Sequence, residues 1–550
     1  MITLHDVKSG NSYEVKEGVT LQQVCEQYCQ HDDMPIAAAL YNNECVGLQT
    51  KVDQSGDVDW LPINTMEGNQ CIIRTAIFLL VRAVSDLYPD GKVLVKHALR
   101  KALYCELEIG HTVTVHDVDI IKKRMHEIVE QDEPISQVIA SAETAMEMCR
   151  NRHMMREAEL LRHVDVTHIM AYQCGQTFDY YMGPLLPSMG YVTCFNLRSY
   201  APGVILETPT VDNPNELPEY KEIPKMARLF LDAEEWGRIV RCEYVYDLNH
   251  YIENGTIQDM VDMAEALQEK KLGQLADYIV SRRPKVKVVL IAGPSSAGKT
   301  TFCKRLTTQL RVNGLRPIGI SLDDYFYNRE DTPKNPDGSY DFESLRAIDV
   351  PLFNQQNDDL NQGKEVHLAR FDFVTGHRHF DDKPTVLEKG QPIVVEGLHA
   401  LNDSLTYMLP RYEKVKISLG VLTQIRINDH NRISTLDTRI IRRMVRDQQF
   451  RDRGPMATMD IWADVRRGEE KNIYPYQEDA DTIFNTALPY ELSVLKPYAE
   501  PLLESIDKGS VHYAEARRLL RFLKPFKGID SSVVPPNSLL REFIGPDRKK

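Results

Sequence analysis

The stretch Val286-Lys287-Val288-Val289-Leu290-Ile291-Ala292 is apolar at all but one position and rich in β-branched residues. Such a run, closed by Gly293-Pro294, predicts a buried strand. Shorter apolar runs follow at Pro317–Leu322, Pro392–Glu396, Val415–Val421 and Thr482–Asn485, with helical patterns between them. Strand alternating with helix predicts an α/β domain with a parallel sheet over residues 284–490. The first 68 residues are patterned differently. Met1–Val7 and Ser12–Val15 alternate as strands around a Gly10-Asn11 turn, a helix is expected at Leu21–Gln30, and short strands around Ala37–Leu48. A small sheet packed on one helix satisfies that pattern. Residues 69–245 mix helices and strands. Asp117–Gln131 is amphipathic there, with Val118, Ile121, Met125 and Ile128 on one face. Residues 246–283 read as a helical connector and 491–550 as a helical extension with proline-rich turns. The basic end Arg548-Lys549-Lys550 reads as a frayed tail.

Composition narrows the classes. A chain of 550 residues holds several domains with ample core. A net charge of −14 argues against a general nucleic-acid or membrane surface. The longest apolar run, near Thr75–Val81, stops at Arg82, far short of a membrane span of about 20 residues. The N-terminus lacks the layout of a signal peptide. The cysteines follow no repeated spacing. Cys25 and Cys29, one helical turn apart, read as half-buried core thiols because no second pair completes a metal site. A reducing, cytoplasmic location is expected.

The most specific signal follows the first strand of the α/β domain. Gly293-Pro-Ser295-Ser296-Ala297-Gly298-Lys299-Thr300-Thr301 fits the pattern G-x-x-x-x-G-K-[ST]. The bare pattern falls by chance in roughly 2% of chains this long, and the preceding strand lowers that further. Chemistry explains the spacing. Glycines let successive N–H groups turn inward on phosphate oxygens, and the helix beginning near Lys299 adds its positive end. Lys299 then reaches the β- and γ-phosphates, and the Thr300 hydroxyl suits Mg²⁺. A nucleoside triphosphate is the implied ligand.

Other residues extend the site. Asp323 and Asp324 follow the second strand, where a carboxylate can take a hydroxyl proton from a phosphoryl acceptor; the spacing leaves both open, against an N-cap or solvated loop. Glu396 ends an apolar strand in the Walker-B manner and is a candidate Mg²⁺ carboxylate. Arg439, Arg442, Arg443, Arg446, Arg451 and Arg453 crowd into one segment. Arg439, Arg443 and Arg446 share a helical face suited to a migrating phosphoryl group. The alternative is a solvated helix paired with Asp437, Asp447 and Asp452.

These strings carry a resemblance. The phosphate loop, Ser321-Leu-Asp-Asp-Tyr-Phe326, Tyr340-Asp-Phe342-Glu343, Phe371-Asp-Phe373-Val-Thr-Gly-His377-Arg378, Val395-Glu-Gly397 and Arg442-Arg443-Met-Val-Arg446-Asp447 with Arg451-Asp-Arg453 occur in the order found in the uridine kinase/phosphoribulokinase family of P-loop kinases. The resemblance implies Asp323 as general base and Glu396 as the Mg²⁺-associated carboxylate. It also implies Arg446, Arg451 and Arg453 as lid arginines on the ATP phosphates. Arg443 and Glu343 would face the acceptor, inside a pocket built by Phe326, Phe342, Phe371, Phe373, His377 and Arg378. Lys299, Asp323 and Arg446 would be catalytic, and Gly293, Ser295, Ser296, Ala297, Gly298, Thr300 and Thr301 would complete the nucleotide site. Four positions depart from the family: Glu343 stands where the family usually has Asp, and Phe371, Gly376 and the neighbourhood of Ile461 stand where pyrimidine kinases usually have Tyr, His and Gln. Their loss predicts relaxed or altered base recognition.

The front half resembles another family. Residues 1–68 look like a TGS domain of the β-grasp fold. Residues 69–245 resemble the second additional domain of threonyl-tRNA synthetase, through Phe78–Pro89, Lys123–Glu127 and Met182–Pro187. The editing motif positions read Arg74, Phe78, Tyr181 and Leu185, so no editing chemistry is expected. The whole order resembles bacterial uridine kinase-like nucleoside kinases. The leading expectation is an ATP- and Mg²⁺-dependent kinase of a nucleoside 5′-hydroxyl. A kinase of a sugar or sugar phosphate, and an RNA-linked regulator whose front half binds tRNA, remain alternatives; the acidic balance counts against RNA. Acceptor identity and oligomeric state stay open.

Overall fold

The computed structural model describes residues 1–29, 34–151, 154–162, 169–334, 338 and 340–546. The basic tail and the last position of the first expected helix, Gln30, lie outside the described residues. Among the described residues no helix is long and apolar enough to cross a membrane.

Residues 1–62 form a five-stranded sheet covered by the helix Leu21–Tyr28. Thr20 and Gln23 close a capping box at the helix start, and Leu21 and Val24 bury against Leu4, Val58 and Trp60. The central strand of this sheet, Gly56–Pro62, pairs parallel to Ile2–Asp6 and antiparallel to Ile36–Tyr41. The sequence pattern did not single it out. Behind it, the 22-residue helix Met66–Leu87 runs through the middle of a large apolar core. Helix Val115–Glu130 buries Val118, Ile121, Met125 and Ile128, the face expected from its periodicity. Two antiparallel sheets, one of four strands and one of three, complete this part.

All five expected strands of the α/β domain are present: three are shorter by one or two residues, one is shifted by a single residue and Thr482–Asn485 has its expected bounds. They run Ile318–Ser321, Ile393–Glu396, Val288–Ala292, Lys414–Gly420 and Thr482–Asn485 in spatial order, and every pairing is parallel. The middle strand is buried at every position, as a parallel sheet covered on both faces requires. Its carboxyl end opens into the phosphate loop, and the neighbouring strands deliver Ser321 and Glu396 to the same edge. A hairpin, Ala369–Asp372 with His377–Phe380, lies outside the main sheet.

The expected connector and C-terminal extension are packed parts of this domain. Helix Ile257–Ser281 lies along the phosphate-loop helix Lys299–Val312; Arg305 reaches Gln268 at 3.1 Å and Glu269 at 2.8 Å. The C-terminal helices Glu491–Glu504, Tyr513–Leu523 and Arg541–Ile544 share one core with the arginine-rich helix Thr435–Phe450. The loop before that helix meets the front half. Asp429 takes hydrogen bonds from Arg156 (2.9 Å) and Tyr244 (2.6 Å), its carbonyl accepts from the Val95 N–H, and His430 Nδ1 lies 2.6 Å from Asp179.

Candidate active site

The phosphate loop takes its shape from residues with uncommon backbone angles. Ser296 (φ 60°) and Gly298 (φ 80°) both sit in the left-handed region. At Gly298 any side chain would also collide with Leu539, whose Cδ2 would lie 2.5 Å from an added Cβ. Lys299 Nζ donates to the carbonyls of Gly293 (2.9 Å) and Pro294 (3.3 Å), bending the lysine back over its own loop.

Two arginines brace the loop from the helix Thr435–Phe450. Arg439 donates to the Ser295 carbonyl (3.0 Å) and pairs with Glu469, whose carboxylate also accepts the Ser295 N–H (2.7 Å). Arg442 donates to the carbonyls of Ser296 (3.2 Å) and Thr486 (3.1 Å) and pairs with Glu491. Both guanidinium groups and both carboxylates are almost completely buried. The solvated-helix alternative therefore fails for the middle of this helix. The shared-face reading needs a correction too: Arg439 points at main-chain carbonyls, not into a space for a phosphoryl group. No spacing rule identified Glu469 or Glu491 as partners, because both come from distant segments.

The remaining arginines gather around a different acid. Asp447, fully buried, lies 3.3 Å from Arg443, 3.0 Å from Arg446 and 3.7 Å from Arg451. Its carbonyl accepts the N–H groups of Arg451 and Arg453. One carboxylate thus holds an excess of positive charge. Burial, with Arg446, Arg451 and Arg453 nearby, pulls Arg443 down to about 10 against the attraction of Asp447. Arg443 also donates to the Ser295 hydroxyl at 2.5 Å, which links the cluster to the loop.

The two candidate aspartates have different fates. Asp324 accepts from Arg370 (2.9 Å) and the Phe371 N–H (3.3 Å), and Arg370 continues to Asp381. Asp323 makes no hydrogen bond among the described residues and is open to solvent. It stands in a cleft walled by protein, and that poorly polarisable surrounding raises its carboxyl above the usual range. Lys299 and Arg451 oppose the rise and Asp324 adds to it. Glu396 is pushed up to about 7, first by burial, then by Asp323 and Glu542, against Lys299 and a hydrogen bond with Ser321. Glu343 is likewise raised to about 7, by burial and then Glu469. Gly468 lets the neighbouring helix approach it, since an added Cβ would meet a Glu343 oxygen at 2.7 Å.

Beside these charges lies an aromatic wall. Phe326 contacts Phe342 and Phe371 edge-on, with centroids 6.3 and 5.7 Å away, and Phe371 contacts Phe373 at 5.2 Å. Phe342 and Phe373 remain exposed. Arg378 is paired with Asp349 (3.0 Å) and lies over Tyr327, while His377 is exposed and meets Glu330 at 3.8 Å. The structure thus joins Lys299, Asp323, Glu343, Glu396, Arg443 and Arg451 electrostatically. Arg378 is occupied elsewhere. In the front half, Phe78 and Tyr181 pack edge to face, Leu185 is fully buried, and Arg74 donates to the Pro184 carbonyl (2.9 Å).

A parallel sheet whose central strand opens into a phosphate loop, with carboxylates at the adjacent strand ends, is the fold of a P-loop kinase. Residues 288–491 match the Phosphoribulokinase / Uridine kinase family. The N-terminal region is similar to threonine–tRNA ligases. The chain is 25% identical over 202 residues to the enzyme of Caldanaerobacter subterraneus subsp. tengcongensis, covering 36% of this chain and 31% of that one. It is 31% identical over 169 residues to that of Syntrophotalea carbinolica, covering 30% of this chain and 26% of that one. The chain thus spans about a third or less of the length of these curated relatives. Among solved structures, a putative fructose transport system kinase from Silicibacter sp. TM1040 aligns with a TM-score of 0.30 and 17% identity, over 39% of this chain and 98% of that one.

Proposed function

We propose that residues 284–490 transfer the terminal phosphoryl group of ATP to a hydroxyl of a small molecule, the 5′-hydroxyl of a nucleoside in the favoured case. The observation that carries this reading is the pair of unequal aspartates. Asp324 is spent on Arg370, while Asp323 keeps free lone pairs in the cleft that Lys299 also faces. A carboxyl raised above its ordinary range is a better proton acceptor than an ordinary one. In the reaction Asp323 takes the hydroxyl proton as the acceptor oxygen attacks the γ-phosphorus in line and the ADP oxygen leaves. Lys299, Arg446, Arg451 and Arg453 neutralise charge on the transferring group. Arg439 and Arg442 act earlier, by keeping the loop amides in place.

The residues present suit a divalent cation. Glu396, raised first by burial, has the carboxylates of Asp323 and Glu542 nearby and Lys299 as its opposing cation, an oxygen-rich, net acidic set that suits a hard cation. Thr300, exposed at the start of the helix, and Glu396 would hold Mg²⁺. When bound, Mg²⁺ supplies charge neutralisation on the β- and γ-phosphates.

The acceptor class is favoured by the wall of Phe326, Phe342, Phe371 and Phe373. Exposed ring faces suit a flat base by stacking. Of the basic side chains that could hold a second phosphate, Arg370 and Arg378 are paired with aspartates, which leaves only the exposed His377 and His379 for a sugar phosphate. The test is transfer of label from γ-labelled ATP to a panel of nucleosides, sugars and sugar phosphates. Label on a nucleoside that vanishes with Asp323→Asn supports the reading. Transfer that survives the substitution removes Asp323 as the base.

A further inference from the structure

Residues 535–545 pack on the phosphate loop. They are clamped by Arg541, which donates to the carbonyls of Pro535 (3.3 Å), Ser531 (3.1 Å) and Gly545 (3.2 Å). Ser538, Leu539, Leu540 and Phe543 are buried. Leu539 fills the space over Gly298, and Phe543 lies beneath the Arg442 guanidinium, 5.0 Å from its carbon, the same guanidinium that holds the Ser296 carbonyl. The short helix Arg541–Ile544 then projects Glu542 onto the first turn of the phosphate-loop helix, where its Oε2 accepts the Thr301 N–H at 3.0 Å.

That N–H is one of the unpaired first-turn amides that make a phosphate loop bind phosphate. A carboxylate and a phosphate oxygen are alternative acceptors for it, and both are anionic. Glu542 also adds to the negative field around Glu396. A bound polyphosphate would bring further charge into that field. Resting on the nucleotide reading of the loop, we propose that Glu542 is a built-in competitor of the nucleotide. Its carboxylate holds the Thr301 amide in the unliganded chain and must swing away when phosphate arrives. The C-terminal segment is thereby an autoinhibitory latch, set by the packing of Leu539 and Phe543 and released by rotation of one side chain. The latch offsets its own cost in the unliganded protein, because Glu542 caps an otherwise unpaired helix start.

The test is calorimetric titration of the full chain with Mg²⁺ and ADP, for wild type, Glu542→Gln and Glu542→Ala, beside thermal melting without nucleotide. The conservative Glu542→Gln keeps the size of the side chain and guards against loss of the fold. Expected are a lower melting temperature for both unliganded variants and tighter ADP binding, by about tenfold in Glu542→Ala, the worth of one charge-assisted hydrogen bond. Equal or weaker ADP binding by folded variants overturns the latch while leaving the nucleotide reading intact. Absence of ADP binding in all three proteins, wild type included, overturns both.

Discussion

Arg370 grips Asp324 at 2.9 Å, and by doing so separates two neighbouring carboxylates into a structural one and a free one. The Phe371 N–H completes the hold on Asp324, so the same contact ties the hairpin that carries Phe371 to the turn that carries Asp323. Asp323→Asn is expected to lower kcat by about 10²–10⁴-fold, the usual worth of a positioned general base, with ADP affinity unchanged. Asp324→Asn is expected to raise the acceptor KM instead, through Arg370 and Phe371. Steady-state kinetics of the two variants separate these roles; equal kcat losses would contradict the division.

Glu396 gives a proton-linked signature. Burial, with Asp323 and Glu542 adding to it, pushes its carboxyl up to about 7 from the ordinary 4.5. A raised carboxyl means that the unliganded fold loses stability as pH rises from about 4.5 to 7 and keeps the penalty above that. A divalent cation binds the ionised form. Binding of Mg²⁺ with ADP at pH 7 should therefore release about half a proton, falling toward zero by pH 9. Calorimetry at pH 7 in buffers of different ionisation enthalpy reads this directly. Identical enthalpies in every buffer would refute it.

Asp447 holds Arg443, Arg446 and Arg451 together from a fully buried position. Removing its charge leaves three guanidinium groups to repel one another. Asp447→Asn should cost about 3 kcal/mol of stability, as loss of a buried ion-pair partner does, and should lower kcat more than it raises the KM for ATP. Urea unfolding and kinetics measure the two effects. A variant as stable and as active as wild type would show that the cluster needs no central acid.

His430 and Asp179 join the front half to the loop that starts the arginine helix. Asp179 and Glu157 raise His430 to about 9 although burial opposes it. The pair's stabilisation is therefore complete below about pH 6.5 and lost as pH rises through 9. The wild-type chain should lose on the order of 2–3 kcal/mol over that interval from this pair, and Asp179→Asn should flatten the slope. Urea midpoints at pH 6, 7.5 and 9 decide it; parallel curves for the two proteins would count against it.

The phenylalanine wall sets acceptor affinity. Phe371→Ala is expected to raise the acceptor KM by about tenfold, the value of one base–aromatic stack, with kcat nearly retained. An unchanged KM for the nucleoside would remove stacking from the account.

Much of the α/β domain was legible because its signals are local. A strand, two glycines, a lysine and a threonine within sixteen residues carry their own geometry, and all five strands fall where apolar runs predict them. The strand Gly56–Pro62 was missed because its apolar positions are interrupted by Asp57 and Asp59 and bounded by Gly56 and Pro62, which read as loop. The hairpin around Phe371 was legible only as a stretch with acceptor-site resemblance. Arg439 was misread, and the bracing role of Arg442 missed, because helical periodicity tells which side chains share a face and nothing about what that face meets.

By itself the sequence determined the phosphate loop, the parallel sheet that carries it and the supply of acids and arginines around it, since each rests on spacing within one segment. The tertiary structure alone decided that Arg370 occupies Asp324, which arginines brace the loop and that Glu542 reaches Thr301. Those outcomes depend on segments tens to hundreds of residues apart meeting within 4 Å, and no local pattern encodes such a meeting.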